Sequence, residues 1–228
     1  MKTIYWKSLL GLAAVSSLPL VASADTIAYD NAAGSYPYQS YGAGSIQNWV
    51  GSLGLDFNVN SPIEITALGA FDNGNSANLI GTTATGVTVG IYNASTEQLV
   101  GSSVLFTPSS PSIQINGDAF LPTSLTLVKG SYTVVTFEDE NYNQGYDVGS
   151  VINPTSVENT GNGLISFVGG GLYLSGSEAY PTSVDSGPAN RYDAGTFEFT
   201  AVPDGGLTAG LLGGALIGIG ALRRKFSI

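Results

Sequence analysis

The chain reads as an all-β protein: an antiparallel β-sandwich flanked by an N-terminal signal helix and a C-terminal short transmembrane helix. Three observations predict this. Apolar and polar residues alternate with period two in one run after another, as in Leu53, Leu55, Phe57 and Val59 with Gly54, Asp56 and Asn58 between them. The 31 Gly and 10 Pro supply turn signals at short intervals. Residues 25–200 show no amphipathic helical pattern.

The elements follow in order. Lys2 and Lys7 make a basic start, residues 9–21 an apolar stretch, and Ala22, Ser23 and Ala24 a small-residue cleavage site. This is the layout of a secretory signal peptide over residues 1–24, cut between Ala24 and Asp25 at the small residues Ala22 and Ala24. The β domain then covers residues 25–201. Its first clear strand is 53–59, and after the turn Asn60-Ser61-Pro62 the alternation resumes over 63–68. These two are expected to pair as a hairpin, since Pro62 cannot sit in the middle of a ladder. Residues 86–92 and 99–106 form the next expected pair, joined by the polar stretch 93–98. Residues 120–128 and 131–138 form a third, turned at Lys129 and Gly130. Later strands are expected at 164–168, 172–174 and 196–200. A jelly-roll is the preferred form and an immunoglobulin-like Greek key the runner-up. Uneven strand spacing argues against a closed barrel.

At the far end, Val202, Pro203, Asp204, Gly205 and Gly206 precede an apolar run, 207–222, and the basic cluster Arg223, Arg224 and Lys225. The run is about 16 residues, short of the roughly 20 that span a bilayer comfortably. It carries no charge, and the cations after it would stay on the cytoplasmic side. A core helix would show a polar face, and this run shows none.

Composition limits the chemistry. Lys and Arg number 7 against 17 Asp and Glu, and five of the seven cations (Lys2, Lys7, Arg223, Arg224, Lys225) lie in the two terminal segments. Only Lys129 and Arg191 remain between them, so the domain is acidic and repels nucleic acid. Cys and His are both absent. That removes disulfides, the usual zinc sites, thiol nucleophiles and imidazole bases, and with them serine-histidine-acid hydrolysis. Paired-carboxylate chemistry and oxygen-ligand metal binding survive. Glu138, Asp139 and Glu140 are the densest carboxylates, but neighbours on a strand point to opposite faces and no second wall of a cleft is visible. The chain is therefore expected not to be an enzyme and to need no cofactor, calcium being the one metal its residues could hold.

The calcium candidate is the loop with Asp139, Asn141, Asn143 and Asp147, whose oxygens are spaced as in calcium loops. It is not an EF-hand, because Gln144 stands where Gly is required and Ser150 where the bidentate Glu should be. A solvated loop tip is the alternative. Asp72, Asn73, Gly74 and Asn75 end a strand and read first as a β-turn, second as ligands. Tyr29, Tyr36, Tyr38, Tyr41 and Trp49 cluster near the mature N-terminus. They would either stack on sugars or pack over one open end of the sandwich.

Two resemblances add to this. The order Val202 to Gly206, apolar helix and Arg223 to Lys225 resembles the C-terminal sorting signal of the PEP-CTERM group, in the VPDSG variant, with Gly206 following Asp204-Gly205 where that variant reads Ser-Gly. The resemblance implies export, processing near residues 203–206 by an exosortase in the membrane, and a bacterial envelope, outer-surface or extracellular-matrix destination. Signal peptidase and exosortase are then the processing partners, and the membrane a transient one. Residues 50–138, through Leu53 to Pro62, Ile65 to Asp72, Val87 to Asn93 and Leu127 to Tyr132, look like the secreted β-sandwich domains of the DUF4082 kind. Those imply a non-catalytic accessory module, with Asn93 where the family commonly has Asp. The expected role is structural or interactive; the alternative is a carbohydrate-binding module associated with extracellular polysaccharide and stabilised by calcium.

Overall fold

The computed structural model describes residues 25–30, 47–48, 50–72, 86–115, 117–138, 143–146, 157–186, 189–190, 192–193, 195–202, 216 and 219. Residues 1–24, the loop positions Asp139, Asn141 and Asp147, residues 203–206 and the cluster 223–225 lie outside the described residues.

Among the described residues the chain forms seventeen strands: β1 Thr26–Ile27, β2 Tyr29–Asp30, β3 Gln47–Asn48, β4 Gly51–Val59, β5 Ile63–Phe71, β6 Val87–Asn93, β7 Gln98–Leu99, β8 Val104–Phe106, β9 Ile113–Ile115, β10 Asp118–Leu127, β11 Gly130–Glu138, β12 Asn143–Tyr146, β13 Val157–Glu158, β14 Ile165–Ser175, β15 Ser183–Val184, β16 Tyr192–Asp193 and β17 Gly195–Ala201. A five-stranded sheet runs β1-β17-β5-β10-β9, and a seven-stranded one runs β15-β14-β4-β11-β6-β7 with β8 also on β6. Strands β16, β12 and β3 form a small third sheet, and β13 pairs with β2. The ladders are antiparallel throughout.

The alternation read from the sequence has the meaning assigned to it. In β4 the inward residues Leu55, Phe57 and Val59 join a core that also takes Ile63, Ile65, Leu68, Val89, Ile91, Val134, Phe197 and Phe199 from both large sheets. The sheets meet directly: the rings of Phe57 in β4 and Phe197 in β17 lie with centroids 4.7 Å apart. Gly195 marks the closest approach, because a Cβ there would run into Thr136 of the opposite sheet.

Two expected hairpins are not hairpins. Strands β4 and β5 lie in different sheets, and so do β10 and β11. The connection 60–62 is an arch between layers. Asn60 and Ser61 donate their N–H groups to the Leu164 carbonyl, at 2.8 and 3.3 Å, instead of closing a two-stranded turn. Alternation explains the misreading. It tells which side chains face the core, and strands on either side of an arch face the same core from opposite layers. The remaining expected pair, 86–92 with 99–106, does form, since β6 takes β7 and β8 as neighbours. The separate strands expected at 164–168 and 172–174 are one strand, β14, broken by a bulge between Phe167 and Gly171.

The two arches stack. β11 runs opposite β4 from Gly130↔Val59 to Glu138↔Gly51, and β10 runs opposite β5 from Leu127↔Ile63 to Asp118↔Phe71. Residues 51–71 and 118–138 are thus one long antiparallel ribbon, folded over at 60–62 and 128–129. β14 and β17 flank it, one in each sheet.

Candidate functional site

The C-terminal segment begins where the fold ends. β17 pairs with β5 up to Ala201↔Ile63, and the next residue, Val202, donates its N–H to the Pro62 carbonyl at 3.2 Å. The chain leaves the five-stranded sheet at the arch with Val202 at the surface. β1 lies against the same strand, with Thr26 opposite Phe199 and Ile27 opposite Glu198. Burial, with the charge of Asp25 added, raises the Glu198 carboxyl above its usual range. Of 207–222 only Leu216 and Ile219 are described, both helical in backbone and both exposed. Among the described residues no helix is long and apolar enough to cross a membrane.

Of the calcium loop only Asn143 is described, as the first residue of β12, opposite Asn48 of β3. Among the described residues no group of three or more acidic residues is placed to hold a metal. Asp72 is buried at the end of β5, where Gln114 Nε2 donates to its Oδ2 at 2.9 Å and its own N–H reaches the Gly117 carbonyl at 2.7 Å. Asp118, buried at the start of β10, stands opposite Phe71. Strand alternation gave no hint of this second buried carboxyl at the same end of the ribbon. Asn93, where the resembled domains carry Asp, uses Oδ1 to accept from the N–H groups of Ser95 and Thr96, at 3.0 Å each. It ties the turn from β6 to β7, a purpose that an amide serves without metal.

The aromatic reading changes most. Tyr29 is 1% exposed and belongs to the core, its hydroxyl donating to the Asn190 carbonyl. It cannot stack on a sugar. Tyr36, Tyr38, Tyr41 and Trp49 lie outside the described residues. A different aromatic group stands on the outer face of the seven-stranded sheet. Here the register places Asp56 of β4 opposite Thr133 of β11, and Thr133 opposite Tyr92 of β6. Tyr180, from the segment after β14, folds over this row. Thr133 Oγ1 donates to Asp56 Oδ1 at 2.5 Å, so its contact with the Tyr180 hydroxyl at 2.8 Å has Tyr180 as donor. The Tyr92 and Tyr180 rings stand 5.8 Å apart, inclined by 53°.

Burial raises the Asp56 carboxyl above its usual range, and the Thr133 hydrogen bond opposes part of that rise. Burial also raises the Tyr92 phenol. It raises Tyr180 too, against the Thr133 hydrogen bond, with the charges of Asp56 and Glu97 adding to the rise. The arrangement is two half-exposed phenol rings beside one carboxylate and a strip of amide and hydroxyl groups, where Ser131 donates to Asn58 Oδ1 at 2.7 Å. It can stack on and hydrogen-bond a neutral ligand.

Residues 201–226 match the VPDSG-CTERM motif. The match makes this a PEP-CTERM-like sorting tail, and such a tail suggests an exported, cell-envelope-directed protein and implies processing by an exosortase. No curated protein and no solved structure matches the chain.

Proposed function

We propose that this is a secreted, non-enzymatic protein of the bacterial cell envelope or extracellular matrix, with a structural or interaction role, anchored for a time in the inner membrane. Signal peptidase removes residues 1–24, and an exosortase acts near residues 203–206. The observation that carries this reading is the matched tail beginning at the last residue of the last strand. The folded domain ends on Ala201 and Val202, both exposed, where the matched tail begins. The two layers wrapped around one folded ribbon favour a jelly-roll among β-sandwiches. A non-catalytic accessory domain of the DUF4082 kind fits the same residues, 50–138.

Intact mass and fractionation from the native host test the proposal. A species that starts at Asp25, ends within residues 203–206 and is found in the outer envelope or medium is the expected result. A full-length C-terminus held in the inner membrane would overturn the processing step.

Saccharide binding is the second reading, favoured by Tyr92 and Tyr180 beside Asp56. Sedimentation with insoluble neutral polysaccharide should fall at least tenfold in Tyr92→Ala and Tyr180→Ala if the rings stack on sugar. Calcium at Asp139, Asn141, Asn143 and Asp147 would show as a lower melting temperature on chelation. An unchanged value removes it.

A further inference from the structure

The two processing points stand side by side. In the antiparallel pair of β1 and β17, Thr26 lies opposite Phe199. The start of β1, at Asp25, therefore sits at the level of Thr200, one step from the end of β17. Val202 then bonds to Pro62 in the arch. The same end of the fold holds the second turn of the ribbon, 128–129, and residues 160–164, which receive the Asn60 and Ser61 N–H groups. Its exposed residues include Asn60, Ser61, Pro62, Lys129, Asn162 and Val128, the last 64% exposed. Lys129 is one of the two cations between residues 25 and 201. The nine residues each of β4 and β11 set the opposite end about 30 Å away.

We propose that this arch end is a membrane-apposed surface, resting on the outward leaflet of the bilayer in the uncut precursor, while the chain is held by its two apolar segments. The inference rests on the functional reading above, in which residues 9–21 and 207–222 enter the same membrane. Three residues, 22–24, separate the first segment from Asp25, and five, 202–206, separate Ala201 from the second. Extended, these links reach no more than about 11 and 18 Å. Both are shorter than the domain is long, and both leave from one corner in one direction. The opposite end cannot then approach the lipid. The occupant is a lipid surface, because the links leave too little room for a protein layer beneath the domain. At this end Lys129 is offset by exposed Asp25 at the start of β1, so the apposition rests on the two short links and not on charge.

The chain contains no cysteine, so single labels are clean. Val128→Cys and Asn162→Cys mark the arch end; Val50→Cys and Ser175→Cys, at exposed positions, mark the opposite end. The full chain is reconstituted in vesicles of phosphatidylethanolamine and phosphatidylglycerol carrying a headgroup nitroxide, and each label's fluorescence is read. Labels at 128 and 162 are expected to be quenched at least threefold more than those at 50 and 175. Alkaline extraction of the same vesicles reports insertion separately. A chain that resists extraction but shows equal quenching at all four sites overturns the orientation alone. A chain that is extracted overturns the orientation and the anchoring reading together.

Discussion

The contact between Phe57 and Phe197 is the sharpest test of the two-layer arrangement, because a hairpin of 53–59 with 63–68 would give those rings no reason to meet. Both side chains are fully buried, at 0% and 1% exposure, and their centroids stand 4.7 Å apart. Phe57 also stacks on Tyr132 at 5.9 Å, and Phe197 lies 5.8 Å from Phe199. Replacement by Ala would cost about 3–5 kcal/mol at each site, and the double variant, at about 6–10 kcal/mol, would remove most or all of a stability of about 5–15 kcal/mol. Leu is the better perturbation, since it keeps apolar volume and removes the ring. Each single variant is expected to lose about 1–2 kcal/mol. Losing one ring already removes the aromatic pair, so the double variant should lose less than the sum by about 0.5–1.5 kcal/mol. Urea unfolding of the mature protein, with a common slope fitted to all four chains, measures the cycle. As a control, Phe57→Leu with Ile113→Ala, on the exposed edge strand β9, should be additive within about 0.5 kcal/mol. Additivity of Phe57→Leu and Phe197→Leu would refute the cross-layer contact.

Further outcomes are expected at three sites. Thr136 Oγ1 is buried without a hydrogen-bond partner among the described residues. Thr136→Val keeps its shape, and thermal melting should show a gain of about 1 kcal/mol. Asn190, at φ 50°, accepts from the Gly169 N–H at 2.9 Å and donates Nδ2 to Glu158. Asn190→Ala should cost about 1–3 kcal/mol in urea, and Asn190→Gly, which tolerates the positive φ, somewhat less. Asp56 has a folded-state pKa raised above 3.8 by burial, so the folded chain keeps its proton to higher pH than the unfolded one. The stability it contributes is complete below 3.8 and is lost as pH rises through the raised value. Asp56→Asn should therefore melt higher than the parent at pH 7, with the difference closing in acid. A difference independent of pH would show that the titration of Asp56 is not its cause.

How far the sequence carries depends on what kind of information each feature needs. Period-two alternation is local, and it identified β4, β5, β6, β10, β11 and β17 with their inward faces. Which strand neighbours which is not local. At 60–62 and at 128–129 the same kind of break serves equally for a hairpin or an arch, and at 60–62 the arch is held by Leu164, about a hundred positions away, whose carbonyl takes its N–H groups. The sorting tail was legible because its meaning lies in the order of its parts along the chain. The outer-face group was not, because Asp56, Thr133 and Tyr180 meet only through the register of β4 on β11 and a return of the chain 47 positions later. For Tyr29 the sequence left two readings, sugar stacking or packing over the sandwich, and burial decides for packing, with its ring 5.8 Å from that of Phe167.

The edges of the two large sheets bear on what a structural role can be. Open edges with long runs of unpaired N–H and C=O groups invite further strands, and exported proteins at high local concentration run that risk most. Here the five-stranded sheet ends in β1 and β9, of two and three residues, and the seven-stranded sheet ends in β15 and β7, of two residues each, with β8 adding three. These short strands cover the long ones behind them only in part: β9 pairs with Asp118–Phe120 of β10, β15 with Leu172 and Tyr173 of β14, and β1 with Glu198 and Phe199 of β17. The long strands β4, β5, β10, β11, β14 and β17 all have partners within their own sheets. The faces and the ends of the fold offer further surface for an interaction role. The outer face presents Tyr92 and Tyr180, and the arch end gathers both chain exits at one corner.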